Sequence, residues 1–349
     1  MKIRKRFKID KLDKKKIIRS LAVVLAIVIV VSVGFIVLSK WEKADKNSGA
    51  VVDATVSNKT ITYKGEEYSM KRNVDTILVI GLDETSEEIA DHNESYNNSQ
   101  EADFLTLFVF DNKNLTYSAL QINRDTMADM DTYDVKGNKS TPVYQQIALS
   151  HTYGDGKKQS CKNTVNAVKG LLDNIDIEGY IAVPMDFVAQ INDLVGGVEV
   201  KVIQDLSMID PELIEGETVT LSGNQALTYV RTRYGLDDSS NATRMERQQQ
   251  YLEAFFSQAV KAAESDKDLV DNFLNSDTMN SVEANNINKV QDIARNITEY
   301  EYTEIYTLTG ESKPAKNNTT GQENMEFYPD EDSIQEVIIK LLYEPVIKK

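Results

Sequence analysis

Arginine is the residue type whose distribution in this sequence indicates chemistry. Lysine is common throughout the chain, but only seven arginines follow position 38. Four of the seven fall within seventeen positions: Arg231, Arg233, Arg244 and Arg247. Guanidinium groups are favoured where phosphate is bound through planar, bidentate contacts. The cluster therefore indicates phosphate binding, with pairing to surface carboxylates as the alternative that spacing alone leaves open.

The spacing of these arginines predicts how they are placed. Arg244 and Arg247 are three positions apart, so on a helix they share one face. Arg231 and Arg233 are two positions apart and would diverge on a continuous helix. They converge only if the helix ends there, which Gly235 and the polar residues after it allow. We therefore expect two helical segments, joined by a polar loop, that direct guanidinium groups at one anion.

Two aspartates lie at the ends of apolar segments that are typical of strands. Asp83 follows the segment 74–82, and Asp103 precedes the segment 104–110. If these strands are neighbours, both carboxylates meet at one edge of a sheet. Carboxylates suit Mg²⁺ or Mn²⁺, and Mg²⁺ often combines one or two of them with phosphate oxygens and water. Turn formation is the alternative role for aspartates at strand ends.

Several established kinds of site are excluded by the sequence. It contains no G-x-S-x-G, G-x-x-x-x-G-K-[ST] or H-E-x-x-H motif, and its only histidines are His92 and His151. Cys161 is the single cysteine, so an intramolecular disulfide and a cysteine-rich zinc site are impossible. The first twenty residues carry ten Lys and Arg and two Asp, whereas the net charge of the chain is −16. The remainder therefore carries −24, which argues against a nucleic-acid partner.

The N-terminal region predicts a membrane anchor. Residues 21–38 are apolar or small and carry no charge. At 1.5 Å per residue, such a helix spans about 27 Å, close to the thickness of the hydrocarbon core. The cationic residues lie upstream, which predicts a cytoplasmic N-terminus and an extracytoplasmic body. A cleaved signal peptide is the alternative, although its apolar region would be shorter. An exported body poor in cysteine suits a bacterial envelope.

The chain is predicted to have one domain behind this anchor. We expect a basic cytoplasmic tail at 1–20, the transmembrane helix at 21–38, a linker at 39–58 and the domain at 59–349. Strands interleaved with helices predict an α/β or α+β layered fold, with polar loops at 84–101 and 313–323. Ser222 is the expected N-cap of a helix. Strands are predicted at 59–63, 67–70, 74–82, 104–110, 115–122, 180–183, 198–202 and 302–308, and helices at 145–153, 163–172, 185–194, 224–230, 244–263, 286–297 and 332–342.

Six segments between about 70 and 260 carry a family resemblance. They are VDTILVIGLD (74–83), ADFLTLFVFD (102–111), INRDT (122–126), LVGGVEV (194–200), LSGNQALTYVRTR (221–233) and TRMERQQQYL (243–252). In this order the chain resembles the LytR-CpsA-Psr family of cell-envelope phosphotransferases. The resemblance implies a mixed central sheet flanked by helices, an apolar tunnel for a polyprenyl chain, and a single-pass protein of a Gram-positive-type envelope.

The resemblance also implies roles for individual residues. Asp83 and Asp103 match the aspartates that bind magnesium and, with three arginines, form the catalytic set. The matching arginines and glutamine that contact the pyrophosphate are Arg124, Arg231, Arg233, Arg244, Arg247 and Gln248, the first three being the catalytic ones. Two positions depart from the family pattern: Glu101 and Ala102 stand where Arg-Ser is common, and Asn123 replaces a proline.

The implied reaction moves a glycopolymer from a polyprenyl-pyrophosphate carrier to peptidoglycan, assisted by Mg²⁺ or Mn²⁺. Teichoic acids and capsular polysaccharides are typical cargoes, and membrane lipid is a further partner. One alternative is a pyrophosphatase that uses water as the acceptor at the same site. The other is a non-catalytic regulator or scaffold that binds polyprenyl lipids.

Overall fold

A layered α/β domain is built around a central sheet in the computed structural model, which describes residues 60–91, 98–134, 136–233, 241–266, 269, 282–286, 293, 300–316 and 323–346. The helices are α1 (Ser86–Asp91), α2 (Lys158–Leu171), α3 (Phe187–Leu194), α4 (Gly223–Arg231), α5 (Asn241–Ser265) and α6 (Glu331–Leu342). The strands are β1 (Thr60–Tyr63), β2 (Glu66–Met70), β3 (Val74–Leu82), β4 (Ala102–Asp111), β5 (Thr116–Ile122), β6 (Met127–Met130), β7 (Val143–Gln146), β8 (Gly179–Val183), β9 (Val198–Lys201), β10 (Thr218–Leu221), β11 (Glu283–Ala284), β12 (Glu301–Thr307), β13 (Gly310–Lys316), β14 (Glu323–Pro329) and β15 (Tyr343–Pro345).

The central sheet has six strands in the order β11-β8-β3-β4-β5-β12. Strand β4 is antiparallel to both of its neighbours, β3 and β5. Strands β8 and β12 instead run parallel to β3 and β5, respectively. The sheet is therefore mixed, and the predicted mixed sheet flanked by helices is confirmed.

Both faces of this sheet are covered, so its central strands are apolar on both sides. Along β3, Ile77 belongs to one core, whereas Leu78 and Ile80 belong to the other. Helices α3, α4 and α5 contribute side chains to the first core, and α2 and α6 contribute to the second. This alternation follows from the period of two along a strand. It produces three layers, with the sheet in the middle.

Most predicted elements are present, and α4 shows why one of them begins where it does. Ser222 Oγ accepts a hydrogen bond from Gln225 N at 3.4 Å, and Gln225 Oε1 accepts one from Ser222 N at 3.0 Å. This reciprocal capping box satisfies amides that the helix itself cannot pair. The predicted N-cap at Ser222 is therefore confirmed.

The helix predicted at 145–153 is wrong. Its first residues belong to β7, which pairs with β6, and a short 3₁₀ helix follows at Ile147–His151. Ile147 N donates to Thr126 O at 2.7 Å, and Ala148 N donates to Arg124 O at 3.1 Å. In the predicted helix Ala148 N would have donated to Tyr144 O and Ile147 N would have had no partner within the helix, whereas in the structure the carbonyls of Arg124 and Thr126 accept from both amides.

The two predicted polar loops contain regular structure. Helix α1 lies inside 84–101, and it is preceded by Thr85, whose amide donates to Glu88 Oε2 at 2.7 Å. Strands β13 and β14 occupy most of 310–329 as an antiparallel pair. Strand β13 is exposed along nearly its whole length, so it lacks the apolar alternation by which a strand is predicted.

Four predicted segments lie mostly or entirely outside the described residues: the basic tail at 1–20, the transmembrane helix at 21–38, the linker at 39–58 and the helix at 286–297. Among the helices that the structure describes, none has the length and apolar character needed to cross a membrane.

Candidate active site

The antiparallel pairing of β3 and β4 brings two acidic residues to one end of the sheet. Leu82, the last residue of β3, lies opposite Ala102, the first residue of β4. Asp83 and Asp103 follow these two residues directly, and both line the same pocket. A bulge separates Gly81 from Leu82 in the register. At Gly81 a Cβ atom would lie 2.9 Å from Phe104 Cβ, so only glycine permits this close approach of the two strands.

Asp83 is held by the residue that precedes β4. Glu101 N donates to Asp83 Oδ1 at 2.7 Å, and Asp83 N donates to Glu101 O at 3.1 Å. Burial raises the pKa of Asp83 to about 6, opposed by the Glu101 amide and supported by the carboxylates of Glu101 and Glu84. Burial therefore makes the charged form of Asp83 less stable than that of an exposed aspartate, and a cation beside it would stabilise that form.

Asp103 connects two arginines that come from different elements. Arg124, two residues beyond the end of β5, forms ion pairs with both Asp103 and Glu101. Arg244, in the first turn of α5, places Nη1 at 3.3 Å from Asp103 Oδ2 and donates from Nη2 to Asn241 Oδ1. The end of β5 and the start of α5 are thereby fixed to the same carboxylate.

The end of α4 places the next two arginines. Arg231 is the last helical residue, and Thr232 has an extended backbone with φ −57° and ψ 131°. The helix therefore ends between Arg231 and Arg233, as their spacing required. Arg231 is exposed and lines the pocket beside the two aspartates. Arg233 lies close enough to Asp125 for its charge to lower the pKa of that carboxylate.

Arg247 and Gln248 do not take the same position as these arginines. Arg247 is 1% exposed, and its guanidinium donates to the main-chain carbonyls of Tyr229 and Thr232. Burial lowers the pKa of Arg247 to about 10. Gln248 lines the pocket, accepts from Gln121 Nε2 at 2.9 Å and donates to Val230 O at 3.2 Å. Arg247 thus fixes the end of α4, and the structure does not bring its guanidinium to the pocket.

The pocket itself lies between the sheet and helices α3, α4 and α5. It has a cavity volume of about 170 Å³ and is partly open to solvent. Its mouth carries Asp83, Asp103, Arg231, Arg244 and Gln248, whereas aliphatic and aromatic side chains line most of the rest. These include Val79, Phe108, Val183, Phe187, Val188, Ile191, Leu227, Tyr251, Leu252 and Phe255. Such a pocket suits an amphiphile with an anionic head and a hydrocarbon tail.

Two acidic residues of the site were not predicted from the sequence. Asp125 is 3% exposed, and its Oδ1 lies 3.6 Å from Arg124 Nε and accepts from Gln146 Nε2 at 3.1 Å. Burial raises the pKa of Asp125, while Arg124, Arg233 and Arg244 oppose that shift. Glu101 occupies the position that departs from the family pattern. That departure was the available signal for Glu101, and the position of Asp125 directly after Arg124 was the signal for Asp125.

The fit of a metal ion can be judged from the donors at the mouth. No cluster of three or more His, Cys, Asp or Glu side chains suited to a metal occurs among the described residues. Asp83 and Asp103 provide two carboxylates at the pocket mouth, which matches the preference of Mg²⁺ for few protein ligands plus phosphate oxygens and water. The donor set therefore fits Mg²⁺ bound together with a phosphorylated ligand.

Comparisons with known proteins agree with the segments identified in the sequence. The model of the LytR_cpsA_psr family matches residues 36–341. The polyisoprenyl-teichoic acid–peptidoglycan teichoic acid transferase TagU of Halalkalibacterium halodurans is 33% identical over 113 residues. That match covers 32% of this chain and 36% of the relative, so it spans about a third of each.

Solved structures share the fold. The structure of TagT bound to LIIa-WTA superposes with a TM-score of 0.54 at 24% identity, covering 77% of this chain and 90% of that chain. Bacillus subtilis TagV gives a TM-score of 0.51 at 24% identity, covering 78% of this chain and 97% of that chain. The described domain therefore has the architecture of these proteins.

Proposed function

This chain belongs to the LytR-CpsA-Psr family, and we propose that it transfers a glycopolymer from a polyprenyl-pyrophosphate carrier to peptidoglycan. The observation that carries the proposal is the pocket that joins an apolar interior to a mouth of arginines and aspartates. The name of the similar protein TagU contains both a polyisoprenyl-linked teichoic acid and peptidoglycan, which supports this pair of substrates. A teichoic acid is the expected cargo, with capsular or other wall polysaccharides as alternatives.

The two parts of the pocket divide the work of binding the donor. The apolar walls bury the polyprenyl chain, at about 0.8 kcal/mol for each methylene removed from water. The pyrophosphate then lies at the mouth, where Arg231 and Arg244 supply positive charge. Arg124 and Arg233 do not line the pocket, but Arg124 contacts the same Asp103 as Arg244, and Arg233 acts on Asp125 beside Arg124.

The arginines also account for catalysis. A hydroxyl oxygen of peptidoglycan forms a bond to the phosphorus that carries the glycopolymer, and the proton of that hydroxyl passes to a carboxylate at the mouth, Asp83 or Asp103. The bond from that phosphorus to the bridging oxygen breaks, and polyprenyl phosphate leaves with the electron pair. Negative charge grows on this leaving group, so fixed guanidinium groups stabilise the transition state more than the ground state.

Asp83 and Asp103 would hold Mg²⁺ or Mn²⁺ at the mouth. The burial of Asp83 beside Glu84 and Glu101 favours a cation at this point. When bound, the ion would neutralise charge on the pyrophosphate oxygens. Asp103 also contacts Arg124 and Arg244, so the protein fixes these two guanidinium groups without help from the ion.

The proposed location follows from the N-terminal sequence. We propose that residues 21–38 anchor the chain in the cell membrane, with residues 1–20 in the cytoplasm and the domain outside. The domain then lies on the side where peptidoglycan is assembled. Membrane lipid surrounds the anchor, and the polyprenyl carrier reaches the pocket from the same bilayer.

Transfer can be tested with the full chain in lipid vesicles. The donor is a polyprenyl-pyrophosphate-linked teichoic acid precursor labelled in its glycan, and the acceptor is purified peptidoglycan. We expect the label to become covalently attached to peptidoglycan, with one polyprenyl phosphate released for each transfer. Release of the label as a soluble phosphorylated glycan would identify a pyrophosphatase. Retention of intact donor without turnover would identify a lipid-binding regulator or scaffold, and either result would overturn the proposal.

A further inference from the structure

Two small ribbons, β6–β7 and β13–β14, meet beside the loop that carries Arg124. Phe327 N, in β14, donates to Asp125 O at 2.8 Å. Gln146 Nε2, in β7, donates to Asp125 Oδ1 at 3.1 Å and to Met325 O at 2.7 Å. Both ribbons are therefore attached to the residue next to Arg124.

The outer face of these ribbons carries tyrosines and carboxylates, of which Tyr144 and Asp129 are exposed and Glu326 and Tyr328 are half-buried. Tyr144 is 53% exposed and shares a strand face with Gln146, and Asp129 lies opposite Tyr144 across the ribbon. On β14, Tyr328 Oη donates to Glu326 Oε2 at 2.5 Å. Partial burial and the neighbouring carboxylates of Asp129 and Glu326 raise the pKa of Tyr144. Tyr144 of one ribbon therefore lies near Glu326 of the other. We name Asp129, Tyr144, Glu326 and Tyr328 the tyrosine shelf.

The chemistry of the tyrosine shelf is that of a sugar-binding surface. The face of an aromatic ring carries partial negative charge and attracts the C–H groups on the apolar face of a sugar ring. Carboxylates accept hydrogen bonds from hydroxyl groups and from the N–H of acetylated amino sugars. The exposed ring of Tyr144 and the carboxylates of Asp129 and Glu326 provide both kinds of contact within one surface.

The charge of the tyrosine shelf distinguishes between the two sugar-containing substrates, the donor polymer and the peptidoglycan acceptor. Around the tyrosine shelf, Lys313 lies 5.2 Å from the ring of Tyr328, but its Nζ is paired with Glu311 at 2.8 Å. With Asp129 and Glu326, the carboxylates outnumber the lysine by three to one. A polymer with a phosphate in each repeat is repelled by such a surface, whereas uncharged sugars are not.

We propose that the tyrosine shelf binds uncharged amino sugars of the peptidoglycan acceptor and thereby brings its hydroxyl to the arginines. This inference rests on the proposed function, because it assigns a place to the acceptor of that reaction. Tyr144 lies two positions, about 7 Å along the strand, from Gln146, which contacts Asp125. Sugars that neighbour the reacting one therefore lie over the shelf while the hydroxyl lies at the pocket mouth.

The first test measures binding without turnover. The full chain in lipid nanodiscs is titrated by calorimetry with the uncharged tetramer of N-acetylglucosamine, and separately with a poly(glycerol phosphate) oligomer. We expect the tetramer to bind, and we expect the polyanion not to displace it, since any binding of the polyanion at the arginines lies outside the shelf. Tyr144→Ala should weaken tetramer binding by at least about 10-fold, as for a central aromatic contact, and Tyr144→Phe should retain it.

A matched control is available in the three-stranded sheet formed by β1, β2 and β15. There Tyr68 Oη donates to Glu66 Oε2 at 3.3 Å, which reproduces the tyrosine–glutamate pair of β14. Tyr68→Ala should leave tetramer binding unchanged. An equal loss in Tyr68→Ala and Tyr144→Ala would show a general effect on the fold and would overturn the proposal.

The second test uses the transfer reaction. Tyr144→Ala should raise the KM for peptidoglycan by about 10-fold and leave the KM for the lipid-linked donor within twofold. An increase in the donor KM alone, or binding of the poly(glycerol phosphate) oligomer at the shelf, would assign the surface to the donor polymer instead. A wild-type chain that binds the tetramer but transfers nothing would refute the proposed function while supporting a glycan site. Absence of tetramer binding would refute the shelf itself.

Discussion

The arginines of this site differ in the groups that their guanidinium side chains contact. Arg231 is exposed at the pocket mouth, whereas Arg244 is buried and contacts Asp103 and Asn241. Arg247 is buried deeper and donates to main-chain carbonyls. All three carry the same charge, but only Arg231 and Arg244 line the pocket. Lysine substitutions therefore separate phosphate chemistry from structural support.

We expect Arg231→Lys and Arg244→Lys to lower transfer by about 10- to 1000-fold, because lysine keeps the charge but loses the planar fork. Donor binding should weaken much less, since the apolar tail contributes most of it. Arg247→Lys is the matched control: it should lower the free energy of unfolding by about 1–3 kcal/mol, because buried carbonyls lose their donors. Transfer rates and thermal unfolding of the three variants provide the measurements. Full transfer in both Arg231→Lys and Arg244→Lys would contradict the prediction and would show that these arginines form only ordinary ion pairs.

The two strand-end aspartates give a second prediction at this scale. Replacing Asp83 and Asp103 together by Asn should abolish the dependence of transfer on Mg²⁺ or Mn²⁺, because amides are poorer ligands than carboxylates. Asp205→Asn, at an exposed position in a turn, should leave that dependence unchanged. The measurement is transfer as a function of metal concentration, with circular dichroism to follow folding. A double variant that retains full stimulation by magnesium would contradict the assignment.

At the scale of elements, the apolar pattern and the capping residues predicted the strands and helices whose conformation is not changed by tertiary contacts. Strand β3 was predicted within its observed bounds because both of its faces are apolar, and Ser222 marked the start of α4. The β13–β14 ribbon was not predicted, because an exposed polar strand has no periodic apolar signal. The arginine spacing predicted a shared helix face for Arg244 and Arg247. It did not predict that Arg247 would donate hydrogen bonds to main-chain carbonyls at the end of α4. That contact depends on how α4 and α5 pack, which spacing along one helix does not contain.

The 3₁₀ helix at Ile147–His151 provides a prediction about stability and pH. His151 is 0% exposed, packs with Nε2 at 3.6 Å from Cys161 Sγ, and burial lowers its pKa to about 4. As the pH falls from about 6.5 to about 4, the unfolded chain binds a proton here that the folded chain does not. The free energy of unfolding should therefore fall by about 2 kcal/mol between pH 7.5 and pH 5 through this residue.

His151→Gln removes the titrating group and keeps a polar side chain of similar reach. The stability of this variant should depend less on pH than that of the wild type, by the same amount over the same interval. Denaturant unfolding of both proteins at pH 7.5 and pH 5 gives the comparison. Equal pH dependence in the two proteins would contradict the prediction, because it would show that His151 has the same pKa in the folded and unfolded chains.

At the scale of the whole molecule, charge and hydropathy change along the sequence. The basic residues of the first twenty positions precede the uncharged segment 21–38, and the acidic body follows it. Within the body, Arg231 and Arg244 lie with Asp83 and Asp103 at the mouth of an apolar pocket. A lipid-linked anion held by this pocket would remain close to the bilayer in which its carrier lies. Because peptidoglycan is assembled outside the membrane, the proposed reaction requires the domain to be on the outer side.

This topology can be tested with single cysteines, because the native Cys161 is buried and gives little background labelling. Met208 is 89% exposed on the body, and Lys8 lies in the basic tail. We expect Met208→Cys to react with a membrane-impermeant maleimide in intact protoplasts, since the cationic flank retains the N-terminus in the cytoplasm. Lys8→Cys should react only after the membrane is permeabilised. The reverse pattern, or protection of both positions until lysis, would place the domain inside the cell and remove it from its proposed substrates.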